Sequence, residues 1–165
     1  MSDLKRINDE IFPQAFALLS PGHNSLAAKA MLLAIGLQES RFTDRVQNNG
    51  GPAHGYWQFE QGGGVVDVLR HPVSRGSAVF VCNNRGIPAL PRDVYTAIIN
   101  DDVLACCFAR LLLYTLPGKL PAQNEREEGW QQYREAWRPG MPHRKSWDAF
   151  YDQAWQVVIG GNGGA

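Results

Sequence analysis

Apolar residues in this chain recur at helical spacing, in segments that are separated by proline and glycine. The clearest segment is 26–39, which Ser25 precedes as a candidate N-cap. Its apolar stripe consists of Leu26, Ala30, Leu33, Ala34 and Leu37. Such a stripe must be buried against another apolar surface. Several stripes in one chain therefore predict a mainly all-α protein, with its helices packed around a shared core.

The same spacing, with its caps and breakers, predicts further helices along the chain. The predicted helices span 8–19, 26–39, 65–70, 93–99, 101–114, 125–137 and 147–159, with Asn8, Ser25, Asn100 and Ser146 as N-caps. Segment 78–84 is a weaker element, because its valines and phenylalanine also favour a strand. Unequal helices with short connections predict one irregular helical domain over 1–160, followed by a flexible glycine-rich tail at 161–165.

Composition excludes several classes of function. The 165 residues carry a formal net charge of zero with no basic stripe, so nucleic acid is not an expected partner. No segment has the roughly 18 apolar residues of a membrane span. The four histidines lack metal-ligand spacing, so neither a metal nor a cofactor is expected. The three cysteines, of which Cys106 and Cys107 are adjacent, are expected to be buried thiols in a reducing compartment.

Segment 35–60 contains the residues that point to a function. Glu39 ends the apolar helix, where unpaired carbonyls and apolar neighbours raise the pKa of a carboxyl group. A carboxyl group that keeps its proton near neutral pH can act as a general acid. The alternative is a surface residue that pairs with Arg41 or Arg45, which is the commoner situation for a glutamate on a helix.

The polar, glycine-rich segment 43–64 follows, and a long loop in a compact domain is often functional. Gly55 allows a tight turn and the close approach of a ligand. Tyr56 and Trp57 offer flat faces to sugar rings, and Gln58 offers a donor and an acceptor. The alternative is a half-buried strand, in which Trp57 faces the core while Tyr56 and Gln58 face water.

Glu39-Ser40 followed by Gly55-Tyr56-Trp57-Gln58 resembles the Glu-Ser and Gly-Leu-Met-Gln motifs of soluble lytic transglycosylases and their relatives in the lysozyme superfamily. The resemblance implies a lysozyme-like fold with a long active-site loop or a short β element. It implies that Glu39 is the catalytic acid and base, that Ser40 and Gln58 assist sugar binding, and that the loop from Gly55 onward lines a glycan groove. The implied reaction is cleavage of the β-1,4 bond between N-acetylmuramic acid and N-acetylglucosamine in peptidoglycan.

The third motif of that family is Ala-Tyr-Asn-Ala-Gly, and this chain has Ala136-Trp137-Arg138-Pro139-Gly140 at a comparable place. Trp137 stands where the family has a tyrosine that supports the catalytic glutamate. Tyr133 lies one turn earlier on the same helix face and can supply that hydroxyl, so both residues are candidates for substrate binding. The alternative is that two aromatic residues at this spacing form a core stripe.

Glu60 opens a second mechanism. Plant-type chitinases of the same superfamily, which this stretch also resembles, pair a helix-borne glutamate with a second one, and two carboxylates about 6.5–9.5 Å apart hydrolyse with inversion. A transglycosylase needs no second carboxylate, because the N-acetyl and 6-hydroxyl groups of its substrate complete the reaction as an anhydro sugar. The sequence leaves two roles open for Glu60, a catalytic base or a solvated loop residue. Asp44 is a weaker candidate for the catalytic base.

The N-terminal sequence is charged and lacks the apolar stretch of a signal peptide. Together with the resemblance, this suggests a bacteriophage or prophage product that is made in the bacterial cytoplasm and reaches the cell wall at lysis or from the virion. The expected partners are peptidoglycan glycan strands and, for a virion component, other particle proteins. A glycan-binding or structural particle protein without turnover is the non-enzymatic alternative, which the altered third motif favours and Glu39 opposes.

Overall fold

Nine α-helices make up most of residues 3–163, the part of the chain that the computed structural model describes; the side chains of 161–163 are not included. They are α1 (Leu4–Arg6), α2 (Phe12–Ala17), α3 (Leu26–Ser40), α4 (Val66–Arg70), α5 (Arg75–Asn84), α6 (Pro91–Ala97), α7 (Asp102–Tyr114), α8 (Arg126–Trp137) and α9 (Arg144–Gly163). The prediction of a mainly all-α protein is confirmed. No helix in this range is long and apolar enough to cross a membrane.

The helix at the N-terminus starts earlier than predicted. It begins at Leu4, and a π-helical turn, Ile7–Ile11, joins α1 to α2. Asn8 lies inside that turn and does not cap a helix. Leu4 and Ile7 are both buried, so the packing of their side chains extends the helix beyond the cap signal at Asn8.

Segment 78–84 also differs from the weak, strand-compatible element that its sequence predicts. It belongs to α5, in which Ala78, Val81 and Cys82 are buried on one face at helical spacing. The tendency of valine and phenylalanine to form strands is overridden here, because one buried helical face satisfies the apolar positions.

Two predicted N-caps, Asn100 and Ser146, do not cap a helix in the structure. The side chain of Asp101, rather than Asn100, caps α7 by accepting the N–H of Leu104 at 3.0 Å. Helix α9 begins before Ser146, whose hydroxyl instead donates to Gln38 Oε1 at 2.9 Å. The expected flexibility of the tail at 161–165 stays a prediction, since α9 is described through Gly163 and residues 164–165 lie outside the described residues.

Helix α7 is the centre of the core. Every residue from Asp102 to Leu113 is buried, so the helix is surrounded by other elements on all sides. All three cysteines are free and buried, as predicted, and two of them lie on α7. At its N-terminal end, the buried carboxylate of Asp102 accepts bonds from Arg6 at 2.9 Å and from Arg45 at 2.6 and 2.9 Å. This ion pair network ties α1 and the loop after α3 to the core.

Helix α3 begins as predicted, with the Ser25 hydroxyl accepting the N–H of Ala28 at 3.0 Å. It is buried along most of its length and packs against α9. Gly36 lies in its middle, where the ring of Phe42 folds back over the helix so closely that a Cβ atom on Gly36 would lie 1.9 Å from its Cζ. The close approach of Phe42 fixes where the chain goes after α3.

We expect Gly36→Ala to destabilise the protein by about 1–3 kcal/mol, because the added methyl group overlaps a ring that is itself buried. Gly160→Ala is the matched control, since nothing lies within 4 Å of a Cβ atom there and α9 should gain up to about 1 kcal/mol. Urea unfolding measures both. An unfolding midpoint of Gly36→Ala at or above that of the wild type would contradict this packing.

Candidate active site

The C-terminal end of α3 places Glu39 at a groove. Arg41 and Phe42 follow with positive φ angles of 55° and 54°, which turn the chain sharply away from the helix axis. The turn sends Phe42 back onto α3 and leaves the half-buried Glu39 facing open space between α3 and α8. We expected Glu39 to be partly buried in a groove shared with Trp57 and Gln58; the burial and Gln58 agree with this expectation, whereas Trp57 is fully buried and does not line the groove.

Ser40 joins the end of α3 to the loop that follows. Its side chain is buried; the hydroxyl donates to the carbonyl of Tyr56 at 2.7 Å and accepts the N–H of Phe42 at 3.1 Å. We expected Ser40 to contact a sugar. Its hydroxyl is instead hydrogen-bonded within the protein, so it is not free for a substrate. Ser40 positions the loop against the helix.

Tyr56 and Trp57 face the interior, which corrects the expectation that they offer flat faces in the groove. Trp57 is fully buried and its indole N–H donates to the carbonyl of Leu32 at 2.8 Å. The hydroxyl of Tyr56 donates to Asp3 Oδ2 at 2.6 Å, and the guanidinium of Arg45 lies 4.5 Å from its ring. Both polar atoms find partners inside, so burial of the rings is favourable.

Gly55 is required by the backbone rather than by a ligand. Its φ is +75°, and a Cβ atom there would lie 2.6 Å from Cγ2 of Ile98 and 3.0 Å from the Ile98 carbonyl oxygen. The next turn of the loop brings Gln58 to the groove wall, where its amide donates to the carbonyl of Gly55 at 2.9 Å. Isolated antiparallel bridges, Val46 with His54 and His54 with Phe59, take the place of the short β element.

The groove has a volume of about 610 Å³ and is open to solvent along its length. Its walls, which we call the Glu39 groove, come from the end of α3, the loop, α8 and the segment after α8: Gln38, Glu39, Ser40, Asp44, Val46, Gln47, Asn48, Asn49, Ala53, Gln58, Glu60, Tyr133, Trp137, Arg138, Pro139, Gly140, Met141 and His143. A second cavity of about 240 Å³ shares Gln58, Glu60, Trp137 and Arg138 with it and continues past the glycines at 62–64. The two cavities are therefore neighbours on the surface.

Helix α8 supplies the contact to Glu39 that its sequence predicts. The hydroxyl of Tyr133 donates to Glu39 Oε2, and its ring is buried and stacked on Trp147 with the centroids 5.3 Å apart. Trp137 is half-buried, lines the groove and donates from its indole N–H to the carbonyl of Trp57 at 2.8 Å. Both aromatic residues of the predicted pair therefore lie at the site, and Trp137 is the more exposed of the two.

Electrostatics gives Glu39 the properties of an acid. Burial raises the pKa of its carboxyl group to about 7, the hydrogen bond from Tyr133 lowers it in part, and the negative charge of Glu60 raises it further. Burial and the neighbouring Glu39 also raise the pKa of Tyr133, so its phenol keeps the proton that it donates. Near neutral pH, Glu39 can therefore both give and take a proton.

The two acidic residues left open by the sequence both lie on the rim of the groove. Glu60 and Asp44 are exposed and line it from the loop side. Glu60 is close enough for its charge to act on Glu39, which sets it apart from Asp44. Among the described residues, no group of three or more His, Cys, Asp or Glu side chains is placed to hold a metal ion.

The wall contributed by the segment after α8 was not predicted beyond the Trp137 motif. Arg138 has a φ of 49° and ends α8, and its guanidinium donates to Asp67 Oδ2 at 2.5 Å. The chain then passes the groove to His143, whose carbonyl accepts from Gln38 at 2.9 Å. Pro139-Gly140 marks the end of the helix in the sequence, but only the bond to Gln38 shows which surface the segment follows.

Comparison with protein-family models, with curated proteins and with solved structures finds no match for this chain.

We expect Glu39→Gln to stabilise the protein above pH 7 and to have little effect near pH 4.5. A carboxyl group with a folded pKa of about 7, raised from 4.5, favours the folded state at low pH and loses that contribution as the pH rises between the two values. A shift of this size corresponds to roughly 3 kcal/mol at most. Glutamine carries no charge, so the variant escapes the loss.

Thermal melting of both proteins at pH 4.5, 6 and 8 measures this difference. Glu135→Gln is the matched control for the loss of one carboxylate, because Glu135 is exposed on α8 and does not line the Glu39 groove. A Glu39→Gln variant that is less stable than the wild type at pH 8 would mean that the Glu39 carboxylate is not destabilising.

Proposed function

We propose that this protein has a lysozyme-like fold and cleaves the β-1,4 bond between N-acetylmuramic acid and N-acetylglucosamine in peptidoglycan, as a lytic transglycosylase does. The observation that carries the proposal is Glu39, a carboxyl group with a pKa of about 7 in an open groove, held by the hydroxyl of Tyr133. Such a group is suited to protonating a glycosidic oxygen near neutral pH.

In the first step, protonated Glu39 donates its proton to the glycosidic oxygen as the bond from that oxygen to C1 of the N-acetylmuramic acid breaks. The substrate's own N-acetyl group supports the positive charge that develops at C1. In the second step, the Glu39 carboxylate removes the proton of the 6-hydroxyl, whose oxygen bonds to C1 and closes the anhydro ring. Tyr133 donates to the carboxylate between the two steps and keeps its oxygens oriented.

The shape of the site supports a polymeric substrate. The Glu39 groove and the second cavity share lining residues, so a chain of sugars that lies in the groove can extend toward that cavity. Trp137 lines the groove and can stack on a sugar ring. Tyr56 and Trp57 cannot do so, because both are buried. The Gln58 side chain, which has one amide bond to the loop backbone, offers its oxygen to an acetamido N–H.

A second candidate is hydrolysis with inversion, in which Glu60 activates a water molecule while Glu39 donates the proton. The observation that favours it is the position of Glu60 on the same groove, near enough for its charge to raise the pKa of Glu39. A base on the rim of the groove also has access to solvent water, which a hydrolase needs and a transglycosylase must keep away from C1.

The biological setting that we propose rests on the sequence resemblance. The protein is a bacteriophage or prophage product that meets peptidoglycan after lysis or as part of the virion. Other virion proteins are then its protein partners. In the non-enzymatic alternative, a particle protein binds glycan in the same groove without cleaving it.

Digestion of purified peptidoglycan tests the proposal. We expect Glu39→Gln to lower the rate by about 10³-fold or more, because no other group in the groove replaces the proton donor. Mass spectrometry of wild-type products should show anhydro-muramic ends, and Glu60→Gln should cleave within about threefold of the wild-type rate.

Glu135→Gln, on the far side of α8, controls for the loss of one carboxylate. Reducing ends together with a large loss in Glu60→Gln would replace the first mechanism with the second. Wild-type protein that binds peptidoglycan and releases no fragments would replace both with the non-enzymatic alternative.

The pH dependence of cleavage gives a separate prediction. The rate should fall as the pH rises above about 7, because the proton on Glu39 is lost there. Removing the hydroxyl in Tyr133→Phe takes away a bond that stabilises the carboxylate, so the falling limb should move to higher pH. Initial rates between pH 5 and 9 measure the falling limb of the wild type and of the variant. A shift of the limb to lower pH in Tyr133→Phe would contradict the hydrogen bond from Tyr133 to Glu39.

A further inference from the structure

A cavity of about 660 Å³ lies at the end of α3 opposite to Glu39. We call it the Arg110 cleft, and it is lined by Gly22, Ser25, Ala27, Val73, Arg110, Leu113, Tyr114, Thr115, Leu116, Pro117, Gly118, Lys119 and Leu120. A helix rises about 1.5 Å per residue, so the first turn of α3 is about 20 Å from Glu39. The cleft shares no residue with the Glu39 groove.

Arg110 is a buried cation without a counter-ion. Its side chain belongs to α7 and is the one lysine or arginine that is buried among the described residues, with 5% of its surface exposed. Its Nε donates to the carbonyl of His23 at 2.8 Å, and its guanidinium lies 5.9 Å from the ring of Tyr114. Its two terminal nitrogens have no hydrogen-bond partner within residues 3–163, and burial lowers its pKa to about 10, so it is charged at neutral pH.

The buried carboxylate of this fold, in contrast to Arg110, is paired with opposite charges. The buried carboxylate of Asp102 has two arginine partners, Arg6 and Arg45. None of the residues that line the Arg110 cleft is an aspartate or a glutamate. The unpaired terminal nitrogens of Arg110 are not among the fully enclosed polar atoms, so they are open to the cleft and an anion there can reach them.

The other polar groups of the cleft add to the positive potential. Helix α3 has 15 residues, and its N-terminus opens into the cleft at Ser25 and Ala27. The Ser25 hydroxyl accepts a hydrogen bond from the N–H of Ala28. The N–H groups of Leu26 and Ala27, the first two residues of the helix, have no acceptor within the helix. Lys119 is exposed at the rim. A buried guanidinium, a helix N-terminus and a lysine therefore converge on one space.

We propose that the Arg110 cleft binds a small oxyanion, a phosphate or carboxylate group, between the terminal nitrogens of Arg110 and the N-terminus of α3. The planar guanidinium offers two parallel donors to such a group, and the helix N-terminus offers backbone N–H groups. Leu113, Leu116 and Leu120 form an apolar wall, so the bound anion can carry an apolar substituent. This site is independent of the proposed cleavage of peptidoglycan.

Calorimetric titration with inorganic phosphate and, separately, with acetate tests the site at constant ionic strength and pH 7.5. The key variant is Gly22→Asp, because nothing lies within 4 Å of a Cβ atom at Gly22 and the new carboxylate enters the mouth of the cleft. We expect it to weaken the anion at least about tenfold, while Gly22→Ala stays within about twofold of the wild type. Lys119→Gln should weaken binding about threefold.

Arg110→Gln should lose at least about tenfold in affinity, and circular dichroism establishes whether it is folded. If it is not folded, Gly22→Asp still decides. The tighter of the two probes identifies the kind of oxyanion that the cleft takes. The proposal is overturned if the wild type binds neither probe up to about 20 mM, or if Gly22→Asp binds as the wild type does. Neither result depends on peptidoglycan cleavage, so the two proposals fail separately.

Discussion

The buried hydroxyl of Ser40 holds together the two parts of the molecule that form the Glu39 groove. It donates to the backbone of Tyr56 and accepts from the backbone of Phe42, so the helix end, the sharp turn and the loop are fixed by one side chain. The turn brings Phe42 over Gly36, and the loop brings Trp57 into the core with its indole N–H on α3. Glu39 faces the groove, while the side chain of the next residue, Ser40, is held in the interior.

The parts of the fold that could be predicted are those decided by local chemistry. The Ser25 cap and the apolar stripe of α3 need only the spacing of neighbouring residues, and the position of Tyr133 one turn before Trp137 is a property of any helix. The direction of Tyr56 and Trp57 could not be predicted in the same way. It depends on acceptors at Asp3 and Leu32, which are far away in the sequence.

The same reason explains the errors in the helix boundaries. Asn8 has the right residue type for a cap, yet the burial of Leu4 and Ile7 against the core continues the helix past it. In α5, three buried positions on one face outweigh the preference of valine for strands. A local signal holds where no distant contact competes with it, and the residues of the Glu39 groove come from segments that distant contacts position.

Among the described residues, Glu39 is half-buried and Arg110 is buried, and neither has an opposite charge as its hydrogen-bond partner. The two side chains differ in how they can relieve the cost of burial. Glu39 can take up a proton, and its raised pKa shows that it does so near neutral pH. Arg110 keeps its charge, since even a pKa of about 10 is far above neutrality. The same physical penalty therefore raises the pKa of Glu39 at one end of α3 and lowers the pKa of Arg110 at the other.

The packing of α3 against α9 has a consequence for synthesis. Helix α3 is made early, but the surface that covers it is the last helix of the fold, and Tyr133 comes from α8, just before it. A nascent chain that has reached only α7 exposes apolar faces and has no groove. Glu39 is thus translated well before α8 and α9, the helices that provide its hydrogen-bond partner and cover α3.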